Sequence, residues 1–127
     1  MKNGMLLLSI LLVTSLPASA HHSFAAVFDA ESPVDKSGTV TEVEWMNPHA
    51  WIHIDVEQED GSVEAWAFEL GSPNGLIRRG WTRGTVQVGD VISISGYRAR
   101  DGSNRGNVKS ITLANGRELT GNSSHRP

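Results

Sequence analysis

The feature that most constrains the fold is a two-residue alternation of apolar and polar side chains that begins at Gly38. Between positions 49 and 57 every second residue is apolar, namely Ala50, Ile52, Ile54 and Val56. Successive side chains of a β-strand point to opposite faces, so this period is typical of a strand with one buried face. An amphipathic helix would instead place apolar residues three and four positions apart. The alternation therefore predicts a β protein.

The rest of the chain supplies an order of elements. Strand patterns at positions 38–45, 49–57, 62–70, 91–98 and 107–113 predict five strands. Ser72-Pro73 is typical of a helix start, and Gly80 of a helix end. A β-sandwich would need about seven strands. We therefore expect an all-β fold, a small five-stranded OB-like barrel with one short helix between strands 3 and 4.

The first 20 residues have the pattern of a cleaved signal peptide. Lys2 gives a positive start, an apolar run follows at positions 5–13, and Ala18-Ser19-Ala20 forms a small-residue cleavage site. The run is shorter than the roughly 20 residues that span a bilayer. We expect a periplasmic or secreted protein with no membrane span after signal cleavage. The predicted organisation is a signal peptide (1–20), an N-terminal arm (21–37), the OB-like domain (38–119) and a disordered tail (120–127).

The charges are divided unevenly along the chain. Positions 21–70 hold eleven acidic residues and one basic residue, Lys36, whereas positions 71–127 hold three acidic and nine basic residues. Two interpretations stand: a polar interaction surface, or two halves that attract each other. We favour the second, because most of the acids alternate along solvent-facing strand positions. The net charge of −3 gives no support for a nucleic-acid partner.

Cleavage before His21 creates the sharpest candidate site. An amino-terminal histidine offers its α-amine and ring Nδ1 to one metal ion, and nitrogen ligands in a tetragonal arrangement suit Cu(II). His22, His49 and His53 are the candidates for a third ligand. In a regular strand His49 and His53 lie about 13 Å apart, so only one of them can join His21. We prefer His49 because the neighbouring Asn47-Pro48 break can redirect its side chain.

An alternative is a metal-free module for a small anionic ligand or a protein partner. In OB-like folds the loops between strands 1 and 2 and between strands 4 and 5 border the binding face. Arginine guanidinium groups grip carboxylates and phosphates through forked hydrogen bonds, and aromatic rings add stacking surfaces. The candidate residues are Trp51, Tyr97, Arg98, Arg100 and Arg105. The competing interpretation of both sites is structural: a histidine on a solvent face, and arginines that keep a loop solvated.

The sequence supports a catalytic function less well than a binding function. The chain has no cysteine and no nucleophile elbow, and surface alternation accounts for the paired glutamates. Whether the protein is an enzyme stays open, with a binding module preferred.

Four sequence blocks carry a family resemblance. They are HHSFAAVFD at 21–29, GTVTEVEWMNPHAW at 38–51, FELGSPNGLIRRGWTR at 68–83 and GYRARDGSNRG at 96–106. With these blocks the chain resembles a family of small secreted bacterial domains of unknown function. The resemblance implies an exported domain with a small β-barrel fold and implies no activity.

Overall fold

The structure of the protein is a computed structural model, and it describes residues 24–122. It is mostly β, with six strands and little helix. The strands are β1 (Phe28–Glu44), β2 (Trp51–Glu57), β3 (Val63–Glu69), β4 (Val91–Ala99), β5 (Arg105–Thr112) and β6 (Glu118–Thr120). A helix, α1 (Pro73–Ile77), follows β3, and residues 24–27 form a helical turn before β1.

The six strands form one sheet in the order β3-β2-β1-β4-β5-β6. Neighbouring strands in this order are antiparallel. One further pairing joins β3 to β5 in parallel, with Glu69 opposite Asn107. The chain of pairings through β1, β2, β3, β5 and β4 therefore returns to β1 and leaves β6 outside this cycle.

Strand β1 is long because it serves two neighbours. Its first part, Phe28–Thr39, pairs with β4, and its last part, Thr39–Glu44, pairs with β2. Pro33 lies in the first part, where β1 pairs with β4 and not with β2. The side of β1 that faces away from β4 has no ladder of hydrogen bonds at this position, so the missing N–H of proline removes none there. This explains why a proline is tolerated in a strand of 17 residues.

The core lies between the inner faces of these strands. The predicted apolar face of β2 is confirmed, since Ala50, Ile52, Ile54 and Val56 are all buried. Phe68 and Trp66 stack with ring centroids 5.7 Å apart inside the core. The close strand packing needs glycine at Gly106, where an added Cβ would lie 2.6 Å from the Phe68 ring.

The helix packs one side against this core. Ser72 accepts a hydrogen bond from the Gly75 N–H (3.2 Å), and Pro73 occupies the first turn, as the sequence predicts. Leu76 is fully buried, whereas Ile77 is exposed. The expectation that the helix would continue through Arg79 and end at Gly80 is wrong, because the regular helix ends at Ile77.

The structure corrects three expected boundaries. Residues 28–37 are not part of an arm but belong to β1, where a register shift between Phe28 and Pro33 hides the strand period. The described residues form six strands rather than five, because Glu118–Thr120 pairs with β5. Thr120 is therefore a strand residue and not the start of a disordered tail. The predicted signal peptide at 1–20 lies outside the described residues.

Within residues 24–122, no helix has the length and apolar character needed to cross a membrane.

Candidate functional site

One row of outward-facing side chains crosses five strands. Strand register places Tyr97 opposite Asn107, Asn107 opposite Glu69, Glu69 opposite Trp51 and Trp51 opposite Glu44. The sequence neighbours of these residues that face inward are buried, as at positions 52, 68 and 108. Since side chains alternate between faces, the row lies on the outer side of the sheet. We call these five residues the outer row.

Glu69 occupies the centre of the outer row. Its Oε1 lies 3.3 Å from Nδ1 of His49 and 3.5 Å from Nδ2 of Asn107. Burial raises the pKa of the Glu69 carboxyl, and the nearby charges of His49 and Arg105 oppose that rise. Asn107 is only 3% exposed and donates its amide N–H to this carboxylate. His49 from the loop before β2 and Arg105 and Asn107 from β5 therefore surround one carboxyl group.

Trp51 and Arg105 form a cation–π contact next to Glu69. The Arg105 guanidinium carbon lies 5.3 Å from the centroid of the Trp51 ring. The indole is half-buried and Arg105 is exposed. The sequence predicts both as ligand-binding residues, and the structure brings these two together.

His53 lies on the same sheet face but among different partners. A register shift between Val40 and Glu42 inserts one extra residue into β1 and sets Glu42 directly opposite His53. The His53 Nε2 and Glu44 Oε1 atoms are 2.8 Å apart. Ligand atoms of Glu42, Glu44 and His53 lie within 4.8 Å of one another, a spacing that one metal ion can bridge. The strand alternation predicts that the two glutamates are surface residues and does not predict this group. The bulge that brings the three residues together has no recognisable pattern in the local sequence.

The N-terminal end of the described chain is held against the outer row. The Phe24 ring packs edge-to-face on Tyr97, with centroids 5.9 Å apart, and lies 5.7 Å from Phe28. Arg100 Nε donates to the backbone carbonyl of Ala25 (2.6 Å), and the Arg100 guanidinium lies 3.8 Å from Asp29. Arg100 therefore fixes the N-terminal segment. His21 and His22 lie outside the described residues.

Arg98 has a similar internal role. Its guanidinium donates to the carbonyl oxygens of Gly102 (2.9 Å) and Ser103 (3.4 Å) and contacts the Trp66 ring at 5.2 Å. The same loop is stiffened by Asp101, which accepts two hydrogen bonds from Ser103, and these bonds lower the pKa of Asp101. Of the three predicted ligand-binding arginines, Arg98 and Arg100 thus hold parts of their own chain, and Arg105 contacts Trp51 of the outer row.

His49 and His53 face different partners. The His49 ring approaches Glu69 on β3, whereas the His53 ring approaches Glu44 on β1. The structure thus gives each histidine its own carboxylate and does not pair the two rings. Glu69 and Asn107 are site residues that the sequence analysis misses, since their contact joins strands 38 residues apart in the chain.

Comparisons with known proteins bear on the fold. A sequence profile described as "Family of unknown function (DUF6152)" matches residues 9–109. No curated protein matches the sequence. Among solved structures, the mitochondrial single-stranded DNA-binding protein Rim1 from S. cerevisiae is similar, with a TM-score of 0.52 and 14% identity. The match covers 65% of this chain and 93% of that one. At this identity the similarity establishes an OB-like fold and nothing about ligands.

Proposed function

The chain belongs to the DUF6152 family, a family of unknown function, and we propose from the geometry that it is an exported binding module for one Cu(II) ion. In this proposal the fold is a five-stranded OB-like barrel with β6 added at its side. The ion is held by the α-amine and ring Nδ1 of His21 at the mature N-terminus, and the His49 ring supplies a third nitrogen.

The observation that carries the proposal is the anchoring of Phe24 on Tyr97. Tyr97 and Glu69 are two strand spacings apart on the outer row, which corresponds to about 10 Å. The three residue steps from His21 to Phe24 can span up to about 10 Å. This length supports the proposal, because it is long enough for a terminal His21 to reach the neighbourhood of Glu69, where the His49 ring lies.

The chemistry around His49 supports a metal ligand. Its side chain is 36% exposed, so a ring nitrogen can reach an ion without unfolding the strand. The carboxylate of Glu69 at 3.3 Å from Nδ1 can orient the ring, as carboxylates commonly do for metal-binding histidines, and leaves Nε2 for the metal. Three nitrogen donors favour Cu(II) among divalent first-row ions.

The group of Glu42, Glu44 and His53 offers a different metal site, with two oxygen donors and one nitrogen donor. We prefer His49 as the partner of His21 because the His53 ring lies farther from the anchor at Tyr97. The His53 ring turns towards Glu44 on β1, which is at the opposite end of the outer row from Tyr97. The two sites differ in a measurable way, since only the first depends on a free α-amine.

The test uses mature protein with a native N-terminus, titrated with Cu(II) by calorimetry and compared with a form that carries one extra alanine before His21. We expect the extended form to lose at least tenfold in affinity. His49→Ala should weaken binding as well, and the matched variant His53→Ala should bind like the parent protein. Equal affinity of the native and extended forms would rule out the terminal chelate, and loss in His53→Ala alone would assign the metal to the glutamate group.

The second candidate function is binding of a small anionic ligand or an acidic protein surface, and the contact of Arg105 with Trp51 is the observation that favours it. This function predicts that Arg105→Ala abolishes binding of the anionic ligand or acidic surface, and that replacing the histidines leaves this binding unchanged. A nucleic-acid ligand, suggested by the fold of the Rim1 protein, is disfavoured by the carboxylates of Glu42, Glu44 and Glu69 on the same face. Saturable binding of a labelled oligo(dT) at low salt would contradict that expectation.

A further inference from the structure

Three side chains that can bind a metal meet on the outer face of β1 and β2, apart from the residues assigned to the copper ion. Glu42 and Glu44 lie on β1, and His53 lies on β2. One carboxylate oxygen of each glutamate and one ring nitrogen of the histidine lie within 4.8 Å of one another. A single ion can therefore contact all three side chains.

The group depends on a bulge between two paired strands. The register shift makes Thr41 an extra residue of β1 and sets Glu42, rather than Thr41, opposite His53. The bulge thereby places a carboxylate beside the imidazole where a regular ladder would place a hydroxyl. Ile52 and Ile54 are buried on either side of His53, so the strand is fixed and its imidazole is directed outward. Side chains on such strands are positioned before an ion binds.

The charges around the group favour a cation. In the part of the chain that the structure describes, the contact of Glu44 with His53 is the only ion pair that either glutamate forms. Asp55 follows on the same face of β2, is exposed and adds a further negative charge. Neighbouring carboxylates repel each other, and a divalent ion between them removes that repulsion. Ala67, opposite His53 on β3, has no charged group that competes with an ion.

The donor set identifies the ion. Oxygen ligands alone suit Mg(II) and Ca(II), whereas an imidazole nitrogen favours the later transition metals. Among these, Cu(II) prefers a tetragonal set of nitrogen ligands, and Zn(II) accepts a mixed tetrahedral set of nitrogen and oxygen. We propose that Glu42, Glu44 and His53 bind one Zn(II) ion, with water as the fourth ligand.

The geometry allows this coordination with small movements. Zn(II) holds nitrogen and oxygen ligands at about 2.0–2.2 Å, so tetrahedral ligand atoms lie about 3.4 Å apart. Side-chain movement of about 1 Å brings the group to that spacing. Glu42 is exposed, and the side chains of Glu44 and His53 are each 30% exposed, so rotation of these side chains requires no change in the core.

The competing interpretation is a hydrogen-bonded pair without an ion, since His53 Nε2 and Glu44 Oε1 are 2.8 Å apart. The test is a calorimetric titration with zinc chloride of the mature chain that carries His21→Ala and His22→Ala. This background lacks the terminal chelate, so the result does not depend on the copper proposal. We expect saturable binding of one equivalent. Glu42→Gln and His53→Ala in this background should each weaken binding about tenfold or more, because removing even an outer partner of a metal ligand costs about 10–100-fold in affinity.

Two matched variants control for charge and for the other histidine. Glu57→Gln removes an exposed carboxylate from the same strand outside the group, and it should bind Zn(II) like the background protein, as should His49→Ala. Ring signals of His53 in nuclear magnetic resonance spectra should shift with one equivalent of Zn(II), a change that a purely structural role would not produce. The proposal is wrong if the background protein shows no saturable binding, if Glu42→Gln binds as tightly as the background, or if His49→Ala weakens binding as much as His53→Ala.

Discussion

Replacing Gly96 by alanine tests the pairing of β4 with β5, on which the outer row depends. Gly96 lies opposite Val108, directly after a register shift in β4. A Cβ at this position would be 2.1 Å from the backbone oxygen of Asn107 and 3.0 Å from its carbonyl carbon. Because the obstacle is backbone, the two strands would have to separate by about 1 Å to reach van der Waals contact.

The cost can be worked from this displacement. Two weakened ladder hydrogen bonds would cost about 2 kcal/mol and overpacking about 1–3 kcal/mol. The reduced entropy of the unfolded chain would return up to about 1 kcal/mol. We therefore expect Gly96→Ala to lower the free energy of unfolding by about 2–4 kcal/mol.

The assay is urea denaturation of the mature protein, followed by circular dichroism and by tryptophan fluorescence. Gly84→Ala is the matched control, because its added Cβ would have its nearest neighbour at 3.7 Å, the end of the Gln87 side chain. This control should be neutral or slightly stabilising. A Gly96→Ala protein whose stability is within about 0.5 kcal/mol of the control would refute the register that sets Gly96 opposite Val108.

Three further variants test individual side chains. Arg98→Ala should lower the free energy of unfolding by about 1–2 kcal/mol, because its guanidinium holds the loop carbonyls at positions 102 and 103, and unchanged stability in a urea melt would contradict this. Arg100→Ala should release the segment at Ala25 and weaken Cu(II) binding by severalfold in a calorimetric titration, whereas unchanged affinity would show that the anchor is not needed. Glu69 has a pKa raised above its ordinary 4.5 by burial, so the folded state holds its proton more tightly and this contribution to stability is lost as pH rises through the folded-state pKa. In urea melts between pH 4 and 7, the free energy of unfolding should therefore decrease less steeply with rising pH for Glu69→Gln than for the parent or the exposed control Glu118→Gln. Identical slopes for all three proteins would contradict this expectation.

The sequence predicts the regular parts of this fold well. Period-two alternation identifies β2 and its buried residues Ile52 and Ile54, because a half-buried strand imprints its geometry on consecutive positions. The resemblance to an uncharacterised family is also confirmed. The first half of β1 is not predicted, because the irregular pairing around Pro33 interrupts the alternation of apolar and polar side chains.

The candidate site was harder to predict because its contacts are not local. The bulge at Thr41 places Glu42 opposite His53, and no residue type in this stretch of sequence predicts a bulge. Glu69 meets Asn107 only through the parallel pairing of β3 with β5. Single-residue chemistry identified the histidines and arginines, whereas their partners depend on strand register, which the alternation pattern does not encode.

The most direct test of the copper proposal is electron paramagnetic resonance of the mature protein with one equivalent of Cu(II). The nitrogen superhyperfine pattern counts the nitrogen ligands. We predict three nitrogens in the parent protein and two in His49→Ala, with His53→Ala unchanged. A pattern that His49→Ala leaves unaltered, or one that reports a single nitrogen, would contradict coordination by His21 and His49.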